Sequence, residues 1–186
     1  MGKNLRIFII TLMAVWAIGT FAYIYFIPSI VYSGVYSLAI GNGVKPGGVP
    51  VNTLYTLPTL GSPSSNSFFV NTGANRDTLY TVGVLNLSGG PEVLHVPDIP
   101  IRYYSIEFFD LRGNDFAELG VRTPYRAGNY LITGPGWQGH VPQNMTRIAA
   151  PSDRVFLIGR VLVENESDLP AVYNISRQLQ LAPLNP

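Results

Sequence analysis

The amino-acid sequence predicts a mainly β protein, an antiparallel sandwich or barrel, carried on an N-terminal membrane helix. Short segments alternate apolar and polar residues, which is the pattern of half-buried strands. Glycine- and proline-containing turns separate these segments at regular spacing, as in sandwiches and barrels. Residues 7–27 form an apolar run without a charged side chain. With 47% hydrophobic residues, the 186-residue chain has apolar material for one core and one membrane segment.

The predicted membrane helix covers residues 7–27, which is about the length that a bilayer core requires. Lys3 and Arg6 precede it, so the positive-inside rule predicts a cytoplasmic N-terminus in the cell membrane and a C-terminal domain outside. Pro28 can end or kink the helix. A cleaved signal peptide is the alternative, but the run is long for one and lacks a clear small-residue cleavage site. Residues 29–40 either extend the anchor or lie along the membrane surface.

The composition changes abruptly after residue 40, to glycine, proline, serine, asparagine and threonine. We therefore divide the chain into a membrane-associated part (1–40), a linker arm (41–67) and a β domain (68–186). Leu54, Tyr55 and Leu57 are apolar, so part of the arm is expected to pack on the domain. Phe68, Phe69 and Val70 are expected to begin the ordered domain.

The predicted domain is organised around residues 101–110, the densest aromatic and β-branched run outside the N-terminus. Tyr104, Ile106 and Phe108 alternate onto one face, which is expected to be buried. The other face is mixed and carries Tyr103, Ser105, Glu107 and Phe109. Further strands are expected at 78–85, 92–96, 116–121, 128–133 and 155–163, with a weaker candidate at 147–149.

One short helix is expected near the C-terminus. Ser167 or Asp168 can cap it, and Pro170 suits its first turn. Its apolar face is formed by Leu169, Val172, Tyr173 and Leu179, and Pro183 is expected to stop it.

Composition excludes several classes of function. The formal net charge is +1 and no basic cluster occurs, so nucleic acid is not an expected partner. The chain has no cysteine, which excludes disulfides and thiolate chemistry. His95 and His140 are the only histidines and lack metal-binding spacing, so no metal site is expected. The turn at 134–139 lacks the lysine and the helix of a phosphate loop, and no cofactor is expected.

Several separate motifs resemble one family. They are Asn75-Arg-Asp-Thr-Leu-Tyr80, Gly90-Pro-Glu-Val-Leu94 with Val96-Pro-Asp98, Arg102-Tyr-Tyr104 with Asp110, Gly134-Pro-Gly-Trp137 with Gly139, and Ile158-Gly-Arg160. In order and spacing they resemble the domain of unknown function 1254. The resemblance implies a β-sandwich of jelly-roll type. Many members carry a companion domain of unknown function 1214 in the same chain; this sequence resembles the short membrane-anchored members, whose companion is a separate protein.

Six residues are candidates for a ligand site: Asn75, Asp77, Tyr80, Arg102, Asp110 and Trp137. Asn75 and Asp77 precede a predicted strand, where short polar side chains also serve as turn formers. Arg102 and Asp110 flank the central strand and can meet that loop in space, or they can form a structural ion pair. Trp137 can cover one end of the sandwich or stack on a flat ligand.

Two functions therefore remain open. The first is a non-catalytic, membrane-anchored module that binds a partner protein or small ligand outside the cell. The second is a hydrolase-like enzyme that uses Asp77, Tyr80, Arg102 and Asp110. No recognised pair of nucleophile and base is present, which favours the first function.

Overall fold

The computed structural model describes residues 2–61, 76–99, 101–124 and 126–184. The first element is a single long helix, α1 (Lys3–Ile40), which continues through Pro28 without ending there. At 1.5 Å per residue the helix is about 57 Å long, well beyond the thickness of a bilayer core. Residues 29–40 therefore continue the same helix as the apolar run.

Nine strands and one further α-helix follow within the described residues. They are β1 (Thr53–Thr56), β2 (Thr78–Asn86), β3 (Glu92–Val96), β4 (Tyr104–Phe109), β5 (Asp115–Gly120), β6 (Gly128–Thr133), β7 (Met145–Ala149), β8 (Arg154–Leu162), α2 (Leu169–Ser176) and β9 (Gln180–Pro183). One sheet has the order β1-β2-β8-β4-β5 and the other β7-β6-β3-β9. All pairings between neighbouring strands are antiparallel except β6 with β7, which are parallel.

The two sheets face each other across one hydrophobic core, so the expected mainly β, two-sheet architecture is confirmed. Leu79 and Leu157 enter this core from the first sheet, and Leu94 enters it from the second. The predicted inward face of β4 is also confirmed. Tyr104, Ile106 and Phe108 are 3%, 1% and 0% exposed.

The outer face of the five-stranded sheet is partly covered by the last turns of α1. Tyr36 and Ala39 of the helix pack with Val82, Val84 and Phe156 of strands β2 and β8, and we call these five residues the helix-covered cluster. The Tyr36 hydroxyl donates to the backbone carbonyl of Leu85 at 3.2 Å. The helix α1 is thus packed onto the domain by buried side chains rather than joined to it by a free tether.

The turn between β4 and β5 also contacts α1. Gly113 has φ +78° and lies against the ring of Tyr32, where a Cβ would be 2.0 Å from Cε2. Only glycine fits this position, because both the left-handed backbone and the missing side chain are required. Tyr32 also stacks on Phe109 with ring centroids 6.3 Å apart.

Two segments differ from the sequence-based expectation. β1 lies within the segment assigned to the linker arm and pairs with β2 at the edge of the sheet.

The C-terminal helix ends at Ser176, so its expected extension to Pro183 is wrong. Residues 180–183 instead pair with β3. The open edge of β3 offers this segment backbone hydrogen bonds, while Leu179 still enters the core. The predicted start of the ordered domain at Phe68 lies outside the described residues.

Candidate functional site

A surface cleft lies where β4 begins, between the ends of the two sheets. It has a volume of about 470 Å³ and is formed by the β3–β4 connection, the end of β5 and the start of β6. Its lining residues are Asp98, Ile99, Ile101, Arg102, Tyr103, Tyr104, Val121, Arg126 and Ala127. We call it the β4-entry cleft. Its walls combine apolar and aromatic side chains with two guanidinium groups.

Arg102 is fixed in the cleft wall by an ion pair with Asp168. Its Nη1 and Nη2 lie 2.5 and 3.0 Å from the two Asp168 carboxylate oxygens, and Nη1 also donates to the Leu162 carbonyl at 2.7 Å. These bonds lower the pKa of Asp168 and raise that of Arg102. The Asp168 carboxylate also accepts from the Glu164 amide. Arg102 therefore ties the entry of β4 to the entry of α2.

Arg126 and Tyr104 form another part of the cleft. The Arg126 guanidinium donates to the carbonyls of Gly120 and Thr123, which holds the β5–β6 connection closed. Burial raises the pKa of Tyr104, an effect that Arg126 opposes and Asp98 reinforces. Both arginines of the cleft are thus held in place by hydrogen bonds, so this part of its wall is preformed.

Ile101 is the unusual residue of the β4-entry cleft. It is fully exposed, at 105% of the reference accessibility, and its φ is +63°. A β-branched residue in the left-handed region is strained by about 1–2 kcal/mol, because its Cβ approaches the following carbonyl. Neither its side chain nor its backbone gains burial in return. Val121, 39% exposed, lines the same cleft.

The structure describes five of the six predicted site residues and does not bring them together into one site. Asp77 is exposed at the start of β2, and its carbonyl accepts from the Val163 amide at 2.8 Å. Arg102 lies at the same end of the sheet but is bonded to Asp168. Tyr80 lies on the outer face of the sheet, opposite Arg160 of β8. Asn75 lies outside the described residues.

Asp110 lies at the other end of β4 from Arg102, about 25 Å away along the strand. It is 8% exposed and organises the β4–β5 turn. Its carboxylate accepts from the Arg112 amide at 2.7 Å, the Asn114 amide at 2.9 Å and the Asn114 side chain at 2.7 Å. Burial alone raises the pKa of Asp110, but these hydrogen bonds hold it below its ordinary value. The hydrogen bonds assign Asp110 a structural role in the turn.

Trp137 is packed by its neighbours. The Arg147 guanidinium lies 5.2 Å from the ring, and the backbone of Gly139 lies so close that a Cβ there would be 2.3 Å from Cζ2. Arg147 also donates to the Trp137 carbonyl and to the Thr133 hydroxyl. A shallow depression of about 440 Å³, lined by turn residues that include Gly90 and Asp153, adjoins the ring.

Sequence reasoning missed a polar group on the outer face of the five-stranded sheet. Arg160 forms an ion pair with Glu107, and both side chains are mostly removed from water. Arg160 also interacts with Tyr80, whose ring centroid lies 5.6 Å from its guanidinium carbon. A signal was present, because Glu107 is the only charged residue in β4 and Arg160 the only charge in the interior of β8. Alternation places both on outward-facing positions.

A buried carboxylate, Glu92, lies in the second sheet. It is 4% exposed; its Oε1 accepts from the Asn52 side chain at 2.7 Å, and its Oε2 has no partner among the described residues. Burial raises its pKa, and the Asn52 hydrogen bond opposes that rise. Asn52 also bonds the amide and the carbonyl of Asn86. This small network ties the arm before β1 to both sheets.

The part of the chain that the structure describes contains no cluster of side chains suited to bind a metal ion. No group of three or more histidine, aspartate or glutamate side chains there is arranged to hold an ion. One helix, α1, is long and apolar enough to cross a membrane.

These features define a class: a two-sheet β domain packed onto a long apolar N-terminal helix, with a preformed cleft at one end. The chain belongs to the DUF1254 family, proteins of unknown function, whose sequence profile matches residues 51–183. The match includes β1, in agreement with its place in the sheet.

Solved structures that are similar to this chain include the following two. The VPA0106 protein from Vibrio parahaemolyticus is 25% identical, with a TM-score of 0.65 over 84% of this chain and 35% of that chain. An uncharacterised protein from Burkholderia cenocepacia is 11% identical, with a TM-score of 0.42 over 62% of this chain and 32% of that one. The chain thus spans about a third of the length of each of these structures. No curated protein matches it.

Proposed function

We propose that this protein is a membrane-anchored, non-catalytic module that binds a partner protein outside the cell through the β4-entry cleft. The observation that carries the proposal is Ile101, a strained and fully exposed apolar side chain at the edge of a preformed cleft. Backbone strain of this kind persists where it serves a site. An exposed apolar residue beside a cleft suits a protein interface, where it becomes buried on binding.

The anchor supports the first half of the proposal. None of the side chains in the most apolar window of α1 is buried in the protein, and Phe8, Trp16 and Phe21 are among the exposed residues of this helix. Such a surface is stable in lipid and unstable in water. With Lys3 and Arg6 on the cytoplasmic side, the domain lies outside.

The partner that we propose is a separate protein of the companion domain family, DUF1214. The solved Vibrio relative has nearly two thirds of its chain beyond the part that matches this fold. A second chain can supply an equivalent surface to this protein. The hydrolase-like alternative requires Asp77, Tyr80, Arg102 and Asp110 to converge, and no observation favours it, since Arg102 and Asp110 are far apart and bonded elsewhere.

The experiment measures binding of a purified DUF1214-domain protein to the full-length chain in lipid nanodiscs. Ile101→Glu and Ile101→Gly are each expected to weaken binding at least ~10-fold, or about 1.4 kcal/mol. Ile101→Gly is expected to keep or slightly raise the free energy of unfolding, because glycine adopts a positive φ without strain. The matched control is Val51→Glu, at another exposed apolar position, 41% exposed and preceding β1. Its binding is expected to be unchanged.

Equal binding by the wild type and both Ile101 variants would rule out this surface, and no binding by the wild type would rule out this partner. Location is tested separately. The full-length chain is expected to remain in the membrane pellet after alkaline carbonate washing, and protease added outside is expected to digest the domain. Release by carbonate would contradict the anchor, and protection from protease would contradict the orientation.

A further inference from the structure

The contacts between α1 and the domain follow one another in a fixed order along the helix. Tyr25 contacts Arg112 of the β4–β5 turn, and Tyr32 stacks on Phe109 at the end of β4. Tyr36 then packs in the helix-covered cluster with residues of β8 and β2. Finally the Ala39 carbonyl accepts from the Val49 amide, in the segment that leads to β1.

Beyond the β4–β5 turn, this order matches the strand order β4-β8-β2-β1, and β5 follows β4 at the other edge of the same sheet. The helix therefore crosses the strands rather than running along them. The dimensions agree to within one strand spacing: residues 32–39 rise about 11 Å along the helix, and three strand spacings from β4 to β1 span about 14 Å. A helix that crosses a membrane thus holds the strands roughly parallel to the membrane plane, with β5 as the lowest strand.

The height of this edge above the bilayer follows from the apolar run. From residue 7 to residue 25 the helix rises about 27 Å, close to the thickness of the hydrocarbon core. Tyr25 and its neighbours Tyr23 and Phe26 therefore lie at the outer membrane–water interface, the level that aromatic residues prefer. Arg112 is held at the same level. Its guanidinium carbon lies 4.5 Å from the Tyr25 ring centroid, and its Nη2 donates to the Tyr25 carbonyl at 3.4 Å.

We propose that the β5 edge of the domain rests on the outer leaflet and that Arg112 binds the phosphate of a lipid headgroup. A guanidinium has five N–H donors, and the bond to Tyr25 uses one. Planar bidentate donation suits a phosphate oxygen pair at this depth. The Asp110 carboxylate accepts from the Arg112 backbone amide and fixes the turn, while the Arg112 side chain lies against Tyr25 of the helix. This proposal rests on membrane insertion of α1.

Site-directed labelling can test the orientation, since the chain has no cysteine of its own. Asp115→Cys places a label on the β5 edge, and Val51→Cys places one near the β1 edge; both positions are exposed. Each spin-labelled full-length protein is reconstituted in phosphatidylcholine nanodiscs that contain a headgroup-chelated nickel lipid. Relaxation by nickel is expected to be severalfold stronger at 115 than at 51. Equal relaxation, or the reverse order, would overturn the proposed orientation.

A second measurement tests the arginine. Arg112→Glu in the Asp115→Cys background is expected to reduce the relaxation at 115 by severalfold, because repulsion from the phosphate lifts the edge. The control is Arg177→Glu, which removes another exposed arginine that lies over a tyrosine ring, at 5.8 Å from Tyr173. It is expected to change nothing. An unchanged signal in Arg112→Glu would exclude the phosphate contact. Carbonate extraction of the same variants in membranes separates failure of the membrane insertion from failure of the headgroup contact. Release by carbonate would mean that α1 is not inserted. Retention, combined with no enhanced nickel relaxation at 115, would overturn only the headgroup contact.

Discussion

The two faces of the five-stranded sheet are built from the same alternating strands but are covered in different ways. The inner face meets the second sheet, and its side chains are almost entirely buried. The outer face meets α1 over the helix-covered cluster, and beyond it lies the partly exposed pair of Arg160 and Glu107. The domain thus covers its inner face with its own second sheet, whereas its outer face is covered by α1.

The difference shows that α1 is part of the folded domain. Removing α1 would expose Val82, Val84 and Phe156, each of which contributes about 1.5–3 kcal/mol when fully buried. Adjacent residues on β4 allow the two faces to be compared directly.

The largest expected effect is on the inner face. Phe108→Ala is expected to lower the free energy of unfolding by about 3–5 kcal/mol, because Phe108 is 0% exposed and its removal leaves a cavity. Phe109, its neighbour on the outer face, is only half-buried and stacks on Tyr32. Phe109→Ala is expected to cost clearly less. Urea denaturation of the full-length protein in detergent measures both, and equal costs would contradict the distinction between the faces.

An intermediate effect is expected at the outer-face ion pair. Glu107→Gln is expected to cost about 1–3 kcal/mol, since it leaves the mostly buried Arg160 without its carboxylate. Glu118 supplies a matched control, because it lies directly opposite Glu107 on β5 and carries the same charge. Glu118→Gln removes a like-charge repulsion and is expected to be neutral or stabilising by less than about 1 kcal/mol. Parallel urea titrations at pH 7 decide the sign of each; a stabilising Glu107→Gln would show that the pair contributes no stability.

The smallest expected effect is pH-dependent and concerns the turn that meets α1. The pKa of Asp110 is lowered in the folded state, so its contribution is complete above the unfolded value of about 4 and is lost as the pH falls below it. Asp110→Asn is expected to cost about 1–2 kcal/mol at pH 7 and less at pH 3.

At Asp115 the pKa shift, and with it the expected effect of pH on stability, has the opposite sign. Its pKa is raised by burial and by the nearby Glu107 and Glu118, so its charged form opposes folding above pH 4. Asp115→Asn is therefore expected to increase stability at pH 7, and this gain should disappear in acid. Unfolding of both variants at pH 7 and pH 3 gives the comparison. If the difference in the free energy of unfolding between wild type and Asp110→Asn were larger at pH 3 than at pH 7, the structural role of the Asp110 carboxylate would be refuted.

Part of the candidate site could be predicted and part could not. The unusual composition of residues 101–110 pointed to the centre of the domain, and the cleft does begin there. Arg102 was expected to meet the loop that contains Asp77, and the two residues do lie at the same end of the first sheet. The actual partner of Arg102 is Asp168, 66 residues away. No spacing in the sequence connects those two residues.

The sequence by itself determined the elements whose signals are local. Alternation fixed the buried face of β4, and a long uncharged apolar run fixed the anchor helix, because both depend only on residues close together in the chain. The tertiary structure decided which distant segments meet. In the folded protein β1 and β9 form sheet edges, and Arg160 pairs with Glu107. The end of α1 packs on the outer face of the five-stranded sheet. Those choices depend on strand order and on which apolar surface remains uncovered, and both are properties of the whole chain.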